Sequence, residues 1–596
     1  MFRAIVFVIV GAIGTLSGSA LAAPASDRFD IPYAPSQYFL SDAFLTVTVP
    51  KLRTAAEAEL NAPSLDGATA QSLRSGLAWI ALLQHRPGDA LALISAQRQA
   101  EVKPQLRAIG NLTADITAAG LAAPPADACQ AEAKRAQTIL TDKDPAIVHD
   151  EVVIRLARYQ VASDAYFAGT LAFDVDSIYA TRHSIDLVQG MQMVSYRAQA
   201  QLLPACREGV STSLREWLAA PAHQIADIWQ TRQPAQTPGE KPVVIAVWDS
   251  GIDTTLFPDQ MISLSLGRER HAQGTLFDWT MRSTTAPLAP LSRELAPRVA
   301  VQMMIDKGLM DLSHGDDTAD ARLAVLRART ASTSEQGEDA AGEDENFLRS
   351  HGTAVASEIA DGAPFVRLVN LRLLLSFSHT SVPPVTEPEV DRFVTILRGL
   401  PAQLKSRHVR LVNMSWVITE DGIADALLDR SLETDPVEAK RRAQAMYAKI
   451  KAALQGVIGA CPDILFVAAA GNSNQSDADL GSVPQSLTLP NLLVVGAAGA
   501  SGHPTSFTTY GKGVKLYARG EAVTVRYPGG QVRTESGTSM AAPLVVRAAA
   551  YMLSFAPQLT PAQVVQGLIE TGTSEQVDMR LIHPAKALEW SRRKRR

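Results

Sequence analysis

The run Val243-Val244-Ile245-Ala246-Val247-Trp248-Asp249-Ser250-Gly251 decides the architecture of the larger part of this chain: apolar, mostly β-branched residues lead into a carboxylate and a glycine turn. An unbroken apolar stretch of this kind predicts a strand buried on both faces, the condition of a parallel sheet covered by helices. Four similar runs follow, Val366 to Leu371, Val409 to Val412, Ile464 to Val467 and Leu492 to Val495. Helical spacing occupies the intervening segments Glu387 to Leu404 and Pro436 to Ile458, and Thr560-Pro561 supplies a cap and first turn for Ala562 to Ile569. Strands alternating with helices predict an α/β fold, in which functional groups gather at the carboxyl ends of the strands.

Upstream, residues 23–235 read as mostly helical, because Ala, Leu, Gln, Glu and Arg recur at spacings of three and four and Val/Ile alternation is scarce. Gly76 to Ile94 reads as a helical hairpin turning at Arg86-Pro87-Gly88-Asp89. The stretch Gln233-Pro234-Ala235-Gln236-Thr237-Pro238-Gly239 cannot continue a helix, so a linker is expected there. It divides a helical N-terminal domain or propeptide, 23–235, from an α/β domain, 236–596. At the start, the apolar run Ala4 to Ile13 behind Arg3, closed by Ala20-Leu21-Ala22, has the pattern of a secretory signal peptide over residues 1–22, with an uncleaved anchor as the other reading. On the first reading the mature chain is exported, periplasmic or secreted, and has no membrane span.

Composition narrows the classes further. The 596 residues carry 56 Lys and Arg against 61 Asp and Glu, a formal net charge of -5, with 46% hydrophobic and 20% charged residues. That is the composition of a globular chain of several domains, without the basic field expected of a nucleic-acid partner. Of the three cysteines, Cys129 and Cys206 can pair in an oxidising compartment, and three buried thiols including Cys461 fit equally well.

Four short motifs carry chemistry. Asp249 sits at a strand end, where it can orient a histidine or simply form a turn. Ser350-His351-Gly352-Thr353-Ala354-Val355-Ala356 puts a histidine at the expected start of a small-residue helix. Gly471-Asn472-Ser473-Asn474 follows an apolar strand and offers an amide donor, or a turn-forming Asn. In Ser536-Gly537-Thr538-Ser539-Met540-Ala541-Ala542-Pro543, Ser539 opens an apolar helix. Backbone N–H groups and the dipole can stabilise negative charge there, although a bare N-cap is the plainer reading. Together the four supply a nucleophile, a base, a carboxylate to hold that base, and an oxyanion donor.

Their order, Asp, His, Asn, Ser, resembles the subtilisin-like serine proteases, the subtilases, from about Val243 to the end of the chain. The resemblance implies a subtilisin-like three-layer α/β fold with a seven-stranded parallel sheet and flanking helices. It implies a triad of Asp249, His351 and Ser539, with Asn472 as oxyanion donor. Asn413 and Ser415 would open the substrate-binding edge, where an extended protein or peptide substrate adds as a strand. The implied activity is peptide-bond hydrolysis through an acyl-enzyme, requiring no metal and no organic cofactor. The alternative is a catalytically silent subtilase-fold scaffold that acts through its helical N-terminal domain and a protein partner.

The chain also departs from the family pattern. About a hundred residues separate Asp249 from His351, far more than a compact subtilase uses, and an acidic insertion is expected around 315–347. Within it, Ala331 to Glu345 carries Glu335, Glu338, Asp339, Glu343, Asp344 and Glu345 without Lys or Arg. This reads as a solvated loop, with a calcium site as the alternative. Trp416-Val417 stands where the family usually has glycine, and the helical region is about twice the length of a common subtilase propeptide. An unusual propeptide, a permanent partner-binding domain and a lid are the three readings of that region.

Overall fold

The computed structural model describes residues 28–62, 65–176, 179–180, 183–232, 241–262, 264–265, 271–272, 274–278, 281–288, 293, 295–313, 316–373, 386–476, 481–576 and 579–594. The signal peptide expected at 1–22 and the linker at 233–239 lie outside these.

Among the described residues the largest sheet has nine strands. In chain order they are β1 Val243–Asp249, β2 Gly274–Leu276, β3 Val366–Arg372, β4 Val409–Met414, β5 Leu465–Ala469, β6 Leu492–Ala498, β7 Val514–Arg519, β8 Thr573–Gln576 and β9 Met579–Leu581. Their order in space is β8-β9-β7-β6-β5-β4-β1-β3-β2. All neighbours are parallel except the edge pair β8 and β9. The five apolar runs read from the sequence are β1 and β3 to β6. The sheet has nine strands where seven are implied, and three of the nine are short edge elements, β2 from the long segment before His351 and the two strands of the β8–β9 hairpin. Strands of three or four residues carry no apolar run that a sequence pattern can register.

Because side chains alternate along a strand, β1 feeds two cores. Ile245 and Val247 join Leu411, Leu465, Val467 and Val545 on one face, while Ala246 and Trp248 join Val412, Met414, Phe466 and Ile450 on the other. Helices cover both faces: Thr333–Ala360 and Thr538–Phe555 the first, Glu387–Ser406 and Pro436–Gly459 the second. Asp249 has the parity of Ile245 and Val247, so it faces the helices that carry His351 and Ser539.

The stretch expected to be an acidic loop is helical. Thr333–Ala360, here α1, opens with a capping box in which the Ser332 hydroxyl accepts from the Glu335 N–H and the Glu335 carboxylate accepts from the Ser332 N–H. The first turns contain Gly337 and Gly342 beside Glu and Gln, so propensity alone does not make them helical; the cap and the continuation of the same helix into the buried turns from Asn346 to Ala354 favour it. His351 therefore lies about five turns inside α1 rather than at a helix start.

The helical half contains the expected hairpin, as Gly67–Leu83 followed by Pro87–Ala100. Its core holds Leu73, Trp79, Ile116, Phe167 and Tyr196, and Ile305, Leu309, Met310, Ala321 and Ala324 join it from helices Leu295–Ser313 and Ala319–Thr330. The long segment between Asp249 and His351 thus contributes to the core of the N-terminal half. Cys129 and Cys206 form a disulfide there, and Cys461 is a buried thiol.

Candidate active site

Strand order places the site before any side chain is considered. From β1 the chain runs to β2 and β3 on one side and then to β4 on the other, so the crevice beyond the carboxyl ends of β1 and β4 is a topological switch point. Asp249 is the last residue of β1, Ser415 follows β4, and Asn472 follows β5 by three positions.

Asp249 Oδ1 accepts from His351 Nδ1–H at 2.7 Å and from the Ser250 N–H at 2.8 Å. Asp249 is 2% exposed and His351 4%, so water competes little for this pair. The strand-end turn and α1 are fastened on either side of it. The Gly352 N–H donates to Ser250 Oγ at 3.0 Å, and the Asp253 N–H donates to Thr353 Oγ1 at 2.9 Å. Gly352 allows this approach, since a Cβ there would lie 2.4 Å from the Gly251 carbonyl oxygen, and Gly251 has φ +119°. Gly352→Ala is accordingly expected to push α1 off the turn, lowering stability by about 1–3 kcal/mol in urea denaturation and lowering activity together with it.

Ser539 lies in the first turn of α2, Thr538–Phe555, and is half-buried between buried neighbours. Its Oγ donates to the Ser415 carbonyl over 3.4 Å, a weak bond, while Ser415 Oγ donates to the Ser539 carbonyl at 2.9 Å. Asn413 Nδ2 in turn donates to Ser415 Oγ at 3.0 Å. The side chains of Asn413 and Ser415 are both buried, so they brace the helix start from below.

Asn472 Oδ1 accepts from both the N–H and the hydroxyl of Thr538, each at 2.9 Å, and Thr538 Oγ1 accepts from the Gly471 N–H at 3.1 Å. Two donors at Oδ1 fix the amide orientation and leave Nδ2 as the outward donor. The half-buried Asn472 is thereby tied to the residue just before Ser539. The helices themselves are clamped by Arg547 Nη2 of α2 and Glu358 Oε1 of α1 at 3.1 Å. Burial pushes the Glu358 carboxyl up to about 7, with Arg547 acting against that rise.

Beyond Ser415 the ends of β4 and β5 are tied together. Gln485 Nε2 donates both to the Trp416 carbonyl at 3.0 Å and to the Ala469 carbonyl at 2.7 Å, bridging the ends of β4 and β5. Ile418–Thr419 also pairs antiparallel with Ser482–Val483, and the Trp416 ring packs against Trp248 with centroids 4.9 Å apart. The sequence motifs point to Asp249, His351, Asn472, Ser539, Asn413 and Ser415, but not to Ser250, Thr538, Gln485 or the Glu358–Arg547 pair. Ser250 and Thr538 lie inside the Asp and Ser motifs, beside the residues they serve; Gln485 and the Glu358–Arg547 pair act by contacts between segments distant in the chain. Among the described residues no cluster of three or more His, Cys, Asp or Glu side chains is arranged to hold a metal ion.

The model of the subtilase family matches residues 240–583. The subtilisin-like serine protease Pen ch 13 of Penicillium rubens is 44% identical over 91 residues, covering 15% of this chain and 22% of that protein. Subtilisin Savinase of Lederbergia lenta is 36% identical over 111 residues, covering 19% of this chain and 39% of that protein. The chain thus spans well under half the length of these relatives. Among solved structures, a cold adapted subtilisin-like serine proteinase is 18% identical, with a TM-score of 0.35 over 58% of this chain and 90% of that one.

Proposed function

The chain belongs to the subtilase family, and from that premise we propose that it is an exported serine endopeptidase cutting protein or peptide substrates through an Asp249–His351–Ser539 triad and an acyl-enzyme. The observation that carries the reading is the buried 2.7 Å bond from His351 to Asp249, on the sheet face covered by the helix that Ser539 opens. In this mechanism Ser539 Oγ releases its long bond to Ser415 and turns to His351. The imidazole takes the proton as Oγ attacks the scissile carbonyl, and later gives it to the leaving amine. Asp249 holds the tautomer and stabilises the imidazolium. Asn472 Nδ2 and the Ser539 N–H meet the oxyanion, with the start of α2 adding its dipole. The chemistry uses only groups of this chain. Export is supported by the apolar N-terminal run and by the Cys129–Cys206 disulfide, which suits an oxidising compartment.

A serine-directed fluorophosphonate tests the reading. The folded wild-type chain is expected to take up one label per molecule, at Ser539, and to lose casein hydrolysis in step with labelling. A folded chain that neither hydrolyses casein nor takes the label sinks the enzyme reading and favours the silent scaffold.

A further inference from the structure

Lys103 belongs to the helical half, at the N-cap of the helix Pro104–Ile109, yet its side chain ends in the α/β half. Nζ donates to the backbone carbonyls of Thr505 at 3.0 Å, Ser506 at 2.7 Å and Thr508 at 2.7 Å, all in the loop between β6 and β7. Three carbonyls use all three donors of an ammonium. The Tyr510 ring adds a cation–π contact, its centroid 5.5 Å from Nζ. The residue is 3% exposed. Burial pulls its pKa down to about 7 while Glu101 and Glu151 favour the charge, and three acceptors around Nζ call for the charged form. Two residues on, Gln105 Nε2 donates to the Pro504 carbonyl. The near end of the same loop is also held from the N-terminal side, by Trp229 Nε1 on the Gly499 carbonyl at 2.8 Å and the Ile228 N–H on the Ala500 carbonyl at 3.1 Å.

The far side of this loop is bonded to the segment that carries Asn472. The Asn474 N–H donates to the Phe507 carbonyl at 2.9 Å, the Thr509 N–H to the Gly471 carbonyl at 2.9 Å, and the Tyr510 N–H to the Gln475 carbonyl at 3.1 Å. The hydroxyls of Ser473 and Thr509 lie 3.2 Å apart. These contacts bracket Asn472 before and after. Without the ammonium, the Ser506 and Thr508 carbonyls would lose this donor and the Thr505 carbonyl would keep only the Thr508 N–H at 3.3 Å, so the loop would have to move or admit water.

We propose that Lys103 is a positioning residue for the oxyanion donor: the helical half supplies the cation that holds the 504–510 loop and, through it, keeps Asn472 in register with Ser539. The helical half is then a working part of the active enzyme. This inference rests on the protease reading above.

The test uses the full chain, with competent sites counted by fluorophosphonate titration so that misfolded protein drops out. Lys103→Met is expected to lower kcat per titrated site by about 10- to 100-fold while KM stays within about twofold, since the defect lies at the reacting centre. Adding Lys103→Met to Asn472→Ala is expected to lower kcat by less than about threefold more, because a misplaced donor and an absent one fail at the same step. An unchanged kcat in Lys103→Met, or effects that multiply in the double variant, overturns the inference. If Lys103→Met yields no soluble chain, Gln105→Met takes its place, with a smaller loss of kcat that is again absorbed by Asn472→Ala; multiplication there overturns it equally. A wild-type chain without hydrolysis or label sinks the protease reading itself, whereas an active wild type beside a full-rate Lys103→Met sinks only this inference.

Discussion

Ser539→Ala is expected to lower kcat about a millionfold, the size of loss that subtilisin itself shows when its nucleophile is removed, while leaving the fold intact. The second half of that expectation comes from the contacts. Among the described residues, Ser539 Oγ donates to the Ser415 carbonyl over 3.4 Å, a weak bond. The shorter bond at this position, from Ser415 Oγ, is to the Ser539 main-chain carbonyl and does not depend on the side chain. The start of α2 is held independently by Thr538 on Asn472. Urea denaturation of Ser539→Ala should therefore match the wild type within about 0.5 kcal/mol. A residual acceleration over water is still expected, because Asn472 and the backbone donors remain. Steady-state hydrolysis of a peptide amide, run beside denaturation, checks both halves. A variant with wild-type turnover would remove Ser539 from the chemistry altogether.

Asp249→Asn should come next in size, at about 10⁴-fold in kcat, and unlike the serine variant it should also destabilise. Asp249 Oδ1 accepts two bonds, from His351 and from the Ser250 N–H, while Oδ2 is buried and has no hydrogen-bond partner among the described residues. An asparagine has two ways to fill this place. With its oxygen at the Oδ1 position it keeps both bonds but buries an unpaired NH2 and no longer offers a charge to the imidazolium. With its NH2 there it confronts two donors and forces His351 into the wrong tautomer. Either arrangement leaves a buried donor unsatisfied, which costs about 1–3 kcal/mol. The expected signature is a large fall in kcat together with a lower denaturation midpoint. Retention of wild-type kcat would show that the 2.7 Å bond does not serve turnover.

The candidate triad and oxyanion residues are readable because each lies in a contiguous motif, and all but His351 stand at or near an element boundary. Asp249 ends an apolar strand, Asn472 follows one, and Ser539 opens a small-residue helix. The same local logic fails at 331–345, where six acidic residues suggest a solvated loop although the Ser332–Glu335 cap opens a helix that continues into buried turns from Asn346 onward. That failure also puts His351 at a helix start when it is well inside one. Asn413 and Ser415 are legible as residues, but the burial that turns their side chains inward beneath Ser539 depends on α2 packing over the end of β4.

The sequence by itself determined an α/β part with parallel strands, a helical part before it, and which residues could do acid, base and nucleophile chemistry. Those properties are periodicities and short motifs, local to a few turns or one strand. The tertiary structure alone decided that helices from the segment between Asp249 and His351 complete the N-terminal core, that Gln485 bridges β4 and β5, and that Lys103 reaches three carbonyls some four hundred residues away. Each of these joins groups that no spacing along the chain relates, and a buried ammonium or amide is tolerated only where the completed fold supplies its partners.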